Sequence, residues 1–500
     1  MKHLSSLKMG VSASLVVVLA TSSGAASAAP VSVQSLSELV KGLLEYNDSI
    51  QSKHFNKRIA DAEVEKSLAK FDPQFDASIV RSRQEQPNTT DDKKTQQESD
   101  VFESNSTDYS AKVSKLLASG AQVELKLTTS DFMTSAIQIA DPDVYEPNYR
   151  RTYYGLSVTQ PLMRDAGVDV NRASVKWAEL DSDAAGSDQL DTSSAVVAQG
   201  LLLFYDLQLA HQQERIEQEK VTMAKRLLKL AKDAGQAGRA SRSETWDVEN
   251  SLSRFEVSAL QASQNRIEQT NRLKSMLMAD TDLSLNISAD LLPNSKTNMM
   301  SRDELVQSAL NSRADFKRQQ LTLKRVLSQR EYADNQRMPR LDLTASYGQN
   351  GLAHNWHDAI SSGDTPAWSL GLQFSVPLGI NREGNAAYDQ AQARVDEAQM
   401  VLNALQVSIE NDIDSSIRLI ENVGQRWDQW ELVNKREQEQ LLLERQRLKS
   451  GRSDLRELLF KEERALNAQL SLAEQRVSYA KAQVLQHAAV GTLLNHYAAF

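Results

Sequence analysis

The sequence predicts a mostly α-helical protein with a small β part, in which long helices pair as antiparallel hairpins and a few strands form a separate layer. Three observations predict this class. Apolar residues recur at steps of three and four over long stretches, the same order of elements occurs twice, and short alternating segments each border a proline. Only 40% of the residues are hydrophobic, a low value that suits extended helices with narrow apolar seams.

The N-terminal segment has the order of a secretory signal peptide. Lys2 and Lys8 precede the apolar run Val11 to Leu19, and small residues close on Ala28, so residues 1–28 are expected to be removed. The alternative is a membrane anchor, but the apolar run is about half of the ~20 residues that a span needs. No later segment is judged apolar enough to span a membrane as a helix. We therefore expect an exported protein.

Two structural repeats, residues 29–282 and 301–500, are expected on either side of a linker at residues 283–300. Four pairs of positions match between them: Ser35 and Ser301, each with a glutamate three residues later in a capping box, Pro73 and Pro339, Pro161 and Pro377, and Gly238 and Gly451. The first two pairs are 266 residues apart, and the last two are 216 and 213 apart. The first repeat therefore contains an insertion, which we place at residues 84–152.

The helix predicted after each Pro-Leu pair is long, about 70 residues up to Ala234 and about 65 in the second half, or roughly 100 Å each. The second one carries a coiled-coil seam formed by Ala391, Val395, Ala398, Leu402, Leu405, Ile409, Ile413, Ile417 and Ile420. Helices of about 40 residues precede the strands and follow the Gly-Arg turns. Two of these stacked end to end match one long helix, which predicts a ring of antiparallel helices with joints at mid-height, near residues 280–300.

Four strands are predicted, at the segments that begin near Phe75, Tyr153, Leu341 and Trp368. Side chains in them alternate between apolar and polar, as on a sheet with one apolar and one polar face. An ordinary half-buried sheet is the alternative, but export and aromatic residues near strand ends favour a lipid-facing barrel. Because four strands cannot close a barrel, several copies must combine. The insertion also alternates between Tyr109 and Phe132, and it either adds strands to the barrel or extends above the bilayer.

In the order and spacing of these elements, the sequence resembles the TolC-like outer-membrane efflux proteins, or outer membrane factors, over nearly the whole mature chain. The resemblance rests on Gln160-Pro161-Leu162, Val376-Pro377-Leu378, the two Gly-Arg turns and the closing segment Ala489 to Leu494. It implies a homotrimer in the outer membrane, with four strands per chain in a 12-stranded β-barrel and the helices in an α-barrel tunnel that extends into the periplasm. Pro73, Pro161, Pro339 and Pro377 would mark the junction between barrel and tunnel.

The same resemblance implies a passive channel of a tripartite efflux pump or a type I secretion system. Its partners would be a periplasmic adaptor (membrane fusion) protein, an inner-membrane transporter and outer-membrane lipid. A periplasmic coiled-coil adaptor or scaffold without a pore is the alternative. Nucleic acid is not an expected partner, because the formal net charge is −9.

Catalytic residues are not expected, since the sequence contains no Walker loop, HExxH, Gly-x-Ser-x-Gly or cysteine nucleophile. We therefore predict a non-enzyme without a cofactor. The pair His354 and His357 lies in a loop rich in glycine and asparagine, where its spacing is interpreted as incidental, and no metal site is predicted.

The two Gly-Arg turns are the best candidates for a functional site. The resemblance implies that this end of the tunnel is a closed aperture, ringed by acidic residues and touched by the adaptor. The matching positions are Glu244, Glu457, Asp247, Arg239, Arg452, Ser453 and Asp454. The alternative is that the acidic residues are solvated helix-start residues, which the helix dipole favours in a first turn.

Overall fold

A computed structural model describes residues 36–90, 93, 100–134, 149–236, 241–277, 295–296, 300–353, 355–361, 363 and 365–497. The expected signal peptide, Ser35, Gly238, Arg239, His354 and most of the expected linker lie outside the described residues.

The chain order of the main elements is the same in both halves apart from the insertion and three short helices. The first half contains α1 (Leu36–Tyr46), α2 (Asp48–Leu68), β1 (Gln74–Pro87), β2 (Val101–Leu116), β3 (Gln122–Thr134), β4 (Tyr149–Pro161), the short α3 (Val168–Asn171), the long α4 (Ala173–Gln236) and α5 (Arg242–Met276). The second half contains α6 (Arg302–Ser312), α7 (Ala314–Gln336), β5 (Arg340–Ala353), α8 (Trp356–Ser361), β6 (Thr365–Ser375), the long α9 (Arg382–Lys449), α10 (Leu455–Val490) and α11 (Leu493–Tyr497). The three short helices are α3, α8 and α11. The predicted class, mostly helical with a small antiparallel sheet, is confirmed.

The two long helices, α4 and α9, have 64 and 68 residues and are each about 100 Å long. The seam predicted for α9 lies inside the protein. Its buried members are Ala391, Val395, Ala398, Ile409, Ile413 and Ile420, and its partly buried members are Leu402, Leu405 and Ile417.

Four helical columns lie side by side. Helix α4 packs against α2 and α5 on one side and against α7 and α10 on the other, and α9 packs against α7 and α10. The lateral order is therefore the α2/α5 stack, α4, the α7/α10 stack, and α9. This is the arrangement of long helices beside stacked short pairs that the sequence predicts.

The two stacks are joined where a short helix ends against the next helix of its column. At the first joint, Asn47 caps α2 and its Nδ2 donates to the carbonyl oxygen of Met276 at 3.1 Å. At the second, Nη1 of Arg313 donates to the carbonyl oxygen of Ala489 at 3.3 Å. The helices before the strands were predicted as continuous, but they are broken at Asn47 and at Arg313. At each break the chain turns so that its helices can stack on the other helix of the same column.

One expectation about α4 is wrong. An 18-residue window of this helix has a mean hydropathy of 1.2, which by length and composition is enough to cross a membrane. Inside the protein, 56% of that window is buried. Its side chains pack on α1, α5 and α10, and they include Val197, Leu201, Phe204 and Leu207. The hydrophobic stretch is therefore explained by burial in the hydrophobic core that α4 forms with these helices.

Within the described residues, the sheet has six strands in the order β1-β2-β3-β4-β5-β6, all antiparallel to their neighbours. The sequence predicted four strands per chain and left open whether the insertion adds more, and the structure extends the four to six in one sheet. The insertion supplies β2 and β3, which lie between β1 and β4. They belong to the sheet because their backbone groups pair along the full length of β1 and with residues 149–159 of β4.

Candidate functional site

One face of the sheet is a continuous exposed apolar surface. On β6, Trp368, Leu370, Leu372 and Phe374 are between 61% and 75% exposed. The register carries the same face across the other strands, where its exposed large apolar residues are Phe75, Ile79, Val113, Leu125, Leu127, Leu156 and Tyr347. An apolar surface of this extent, rimmed by aromatic residues, is typical of a membrane-facing strand layer.

The opposite face of the sheet is polar. Facing hydroxyl groups bond across strands at 2.7–2.8 Å in the pairs Ser78 with Ser110, Ser82 with Ser106, and Ser346 with Ser369. The Nζ atom of Lys112 lies 3.6 Å from Asp76 and 4.0 Å from Glu124, so a cation on β2 is flanked by acids on β1 and β3. Such a surface is suited to lining a water-filled pore.

The four predicted junction prolines lie at the ends of strands that face the helices. Pro73 immediately precedes β1, Pro161 ends β4, Pro339 immediately precedes β5, and Pro377 follows β6 by two residues. A proline lacks the N–H that a central ladder position requires, so the end of a strand is where it is tolerated. The structure thus places all four where the chain passes between sheet and helix.

The connection from β4 to α4 contains the one positive φ of a non-glycine residue in the described part of the chain, 63° at Asp165. The end of α7 holds this residue. The N–H of Asp165 donates to Oδ1 of Asn335 at 2.9 Å, and Nε2 of Gln336 donates to its carboxylate at 2.7 Å. The pKa of Tyr332 is raised mainly by burial and to a smaller extent by the Asp165 carboxylate. These junction residues escaped the sequence analysis, where only the polar end of α7 before Pro339 could have indicated them.

At the far end of the helices, the predicted residues Glu244 and Glu457 each lie in the first turn of a helix. Glu244 completes a capping box with Ser241, whose N–H donates to its carboxylate at 2.8 Å. Glu457 follows the cap residue Asp454, whose carboxylate accepts from the N–H of Glu457 at 2.8 Å. The Glu457 carboxylate is about half exposed and lies 3.9 Å from Lys461. This geometry supports helix capping, and it leaves the Glu457 side chain available at the surface.

The turn between α9 and α10 is tied to a buried carboxylate. Gly451 has φ +72°, a left-handed conformation that favours glycine. The hydroxyl of Ser453 donates to Glu444, which is 3% exposed, and Arg447 donates to the other oxygen of Glu444 at 3.3 Å. Arg452 is exposed beside this turn, whereas Asp247 is partly exposed on α5.

Two buried acids above the turn were missed by the sequence analysis. Glu462 on α10 is 4% exposed and accepts from Arg445 at 2.9 Å and from Arg226 at 3.1 Å, which links α4, α9 and α10. Glu437 on α9 accepts from Arg464 of α10. A signal existed, because Glu437, Leu441, Glu444 and Leu448 continue the seam of α9 at steps of four, three and four. Charged residues at seam positions indicate buried pairing.

Residues 305–492 match the model of the family described as outer membrane efflux protein. No curated protein matches the sequence.

More than nine-tenths of the chain is similar in fold to solved outer membrane channels. The Campylobacter jejuni CmeC outer membrane channel has 16% identity and a TM-score of 0.64, with 92% of this chain and 86% of that chain covered. The Vibrio cholerae outer membrane protein VceC has 16% identity and a TM-score of 0.60, with 91% and 96% covered. The open state of the Neisseria gonorrhoeae MtrE outer membrane channel has 16% identity and a TM-score of 0.62, with 92% and 89% covered. The likeness therefore includes both the sheet and the helical columns.

Proposed function

We propose that this chain is a TolC-like outer membrane efflux protein and that three copies form a continuous channel-tunnel. The family match to residues 305–492 and the channel fold shared along the chain support this proposal. The family is one of channels rather than enzymes and is located in the outer membrane, as the sequence predicts. The assembly would be the passive exit duct of a tripartite efflux pump or a type I secretion system, driven by an inner-membrane transporter.

The observation that carries this proposal is that both layers end in open edges on the same two sides of the chain. Strands β1 and β6 pair on one side only. Directly connected to them, the α2/α5 stack and α9 are the outer helical columns. Their exposed large apolar residues include Phe55, Ile59, Val257, Leu260, Met400, Val407, Leu442 and Leu443. Joining the edges of neighbouring copies in a ring would pair the strands and cover these residues.

Transport through such a ring needs no chemistry from the chain. The polar sheet face, with its serine pairs and Lys112, would line the exit, and the cargo would be selected by the transporter. The residues in and next to the two Gly-Arg turns, which together we call the tip, would contact the periplasmic adaptor or close the aperture. We assign this role to Glu244, Glu457, Asp247, Arg239, Arg452, Ser453 and Asp454.

Reconstitution tests the channel directly. We expect the purified protein to be trimeric by native mass spectrometry and to conduct ions in planar bilayers, with a higher open probability after E244Q and E457Q remove acidic groups from the tip. A pore-free scaffold would instead leave washed membranes in urea, show no conductance in either form, and overturn the proposal.

Crosslinking tests the partner. A photoreactive residue at Arg452 or Ser453 is expected to capture an inner-membrane-anchored periplasmic adaptor in intact cells. The matched control is the same residue at the exposed Ala393, near the sheet end of α9. Equal capture at both positions would contradict an adaptor contact at the tip.

A further inference from the structure

We infer that the inserted hairpin β2–β3 is an integral, pore-lining part of the membrane barrel, so that each chain contributes six strands. This inference rests on the trimer proposed above, in which it gives an 18-stranded barrel instead of the 12-stranded one implied by the resemblance. The consequence is a wider exit that admits larger solutes.

The first support for this inference is the hydrogen-bonded register of the hairpin with β1 and β4. The pairing of β1 with β2 runs from Gln74 opposite Ser114 to Pro87 opposite Val101. The pairing of β3 with β4 runs from Gln122 opposite Thr159 to Phe132 opposite Tyr149. Strands β1 and β4 are never neighbours. If the hairpin left the sheet, β1 and β4 would each lose a paired edge and would have to pair with one another, because an unpaired edge is not tolerated in the hydrocarbon region.

The apolar surface of the hairpin lies at the height of its neighbours' apolar surface. Val113 lies opposite Phe75 of β1, and Leu125 lies opposite Leu156 of β4. Val113 and Leu125 are 40% and 57% exposed, compared with 67% and 46% for Phe75 and Leu156. An extension above the bilayer would place these side chains in water, whereas membership of the barrel places all four in lipid.

The turn of the hairpin is fixed on the tunnel side of the sheet. Gly120 has φ +91°, and a Cβ there would lie 2.5 Å from the carbonyl oxygen of Asp165. The N–H of Gly167 donates to the carbonyl oxygen of Ser119 at 3.2 Å, and Nε2 of Gln160 donates to the same oxygen at 3.3 Å. These contacts seat the turn on the connection from β4 to α4. The hairpin therefore begins at the same level as the strands of the barrel.

The width that the four helical columns of one chain occupy around the ring matches the width of six strands. Four helical columns about 9 Å apart occupy roughly 36 Å of the ring per chain. Six strands about 4.8 Å apart and tilted by about 40° occupy roughly 38 Å, whereas four would occupy only about 25 Å. Six strands thus continue the tunnel wall without a constriction. Because barrel diameter grows roughly linearly with strand number, 18 strands enclose about twice the cross-section of 12.

Cysteine labelling can test the position of the hairpin, because the natural chain has no cysteine. Leu125 and Lys126 are both exposed on β3 and point to opposite faces, and Leu372 and Gln373 are their counterparts on β6. The variants L125C, K126C, L372C and Q373C would be reconstituted as trimers in lipid vesicles. Each would be treated with a membrane-impermeant thiol reagent, and separately labelled with a fluorophore in vesicles containing brominated lipid.

The expected result is the same alternation on both strands. K126C and Q373C react with the aqueous reagent, while the labels on L125C and L372C are quenched by the lipid at least about threefold more strongly. Aqueous reaction of both L125C and K126C, with alternation retained on β6, would overturn the inference and leave the proposed channel standing. Loss of alternation on β6 would count against the channel itself.

Ion selectivity gives a second readout that does not depend on labelling. K126E places a negative charge in the proposed lumen of β3, and Q373E does the same on β6. Both are expected to shift the reversal potential towards cation selectivity, because both side chains line the pore. A shift with Q373E and none with K126E would show that β3 lies outside the pore.

Discussion

The two helical hairpins, α4–α5 and α9–α10, have nearly the same dimensions but different interiors. Their helices contain 64 and 35 residues in the first hairpin and 68 and 36 in the second. At the repeat spacing of 213, Ala224 and Ala231 in the first correspond to Glu437 and Glu444 in the second. The alanines are completely buried, and the glutamates are 8% and 3% exposed.

The comparison teaches that one backbone geometry accepts two kinds of seam. In the second hairpin, Glu444 is satisfied by Ser453 and Arg447. The corresponding positions in the first hairpin, 234 and 240, are both alanine, so apolar packing stabilises it instead. The halves therefore differ in their expected response to charge, and four changes sharpen or break that contrast.

Ala231→Glu is expected to have the largest effect, because it places a carboxylate in the seam without the partners that Glu444 has. We expect the free energy of local unfolding of α4–α5 to fall by about 4 kcal/mol, as for an unpaired buried charge. Native-state hydrogen exchange in the α5 segment measures it. The matched variant E444A should cost less, since it leaves Arg447, which is 62% exposed, free to be solvated. Equal losses would refute the difference between the seams.

The joints of the two halves allow a similar comparison, because Asn47 and Arg313 are equivalent at the spacing of 266. Arg313 is 17% exposed and pairs with Asp315 at 2.8 Å and Asp412 at 3.0 Å. R313A leaves Asp315 half-buried without its cation, and we expect a loss of about 3 kcal/mol. N47A removes a cap and one amide bond, for about 1 kcal/mol. Urea unfolding followed by circular dichroism measures both, and a larger loss for N47A would contradict the assignment.

The buried Glu462 and the surface Glu249 are equivalent positions with different burial. Glu462 has a side chain 5% exposed between two arginines, whereas Glu249 is 44% exposed beside Lys232 at 3.0 Å. E462Q removes the charge that both arginines bind, so opening of the tip should become easier by about 2 kcal/mol, or roughly 30-fold in hydrogen exchange. E249Q should change exchange by less than about 0.5 kcal/mol. Similar effects of both would mean that Glu462 does not hold the helices together.

Helix length, the α9 seam and the junction prolines could be predicted from the sequence because each is a local or periodic signal. The breaks at Asn47 and Arg313 could not, since they arise where a short helix meets the next helix of its column, a contact between distant segments. Whether the inserted strands join the sheet could not be predicted for the same reason. The alternation from Tyr109 to Phe132 predicts strands, but only the register with β1 and β4 shows which sheet they join.

At the candidate site, the sequence identified the turn residues but missed the carboxylates beneath them. Ser453 was named, whereas its partner Glu444 was not, because the seam of α9 was followed only as far as its apolar residues allowed. The acids chosen at the helix starts, Glu244 and Glu457, follow the general preference for acids in a first turn. Only the structure separates them from the buried acids Glu437, Glu444 and Glu462, which connect helices.

Of the two joints, only the second one, at Arg313 and Ala489, is expected to weaken in mild acid. His487 stacks on His496 with ring centroids 4.2 Å apart, and its Nδ1 lies 3.1 Å from the hydroxyl of Thr492. Burial, and next the neighbouring His496, lower the pKa of His487 to about 4. The folded protein thus keeps His487 neutral where the unfolded chain, with a pKa near ~6.5, already binds a proton, so stability is lost as pH falls from about 6.5 to about 4.

We expect the contribution to the free energy of unfolding to be about 1 kcal/mol at pH 5, allowing for solvent screening of the partly exposed ring. Hydrogen exchange near α10 and α6, compared at pH 7.5 and pH 5 after correction for intrinsic rates, measures it. H487Q retains a polar group of similar length but does not titrate, so it should remove the pH dependence at this joint. The first joint has Lys274 at the equivalent position and should show none in this range. A pH dependence that survives H487Q would place the titrating group elsewhere and remove this contrast between the halves.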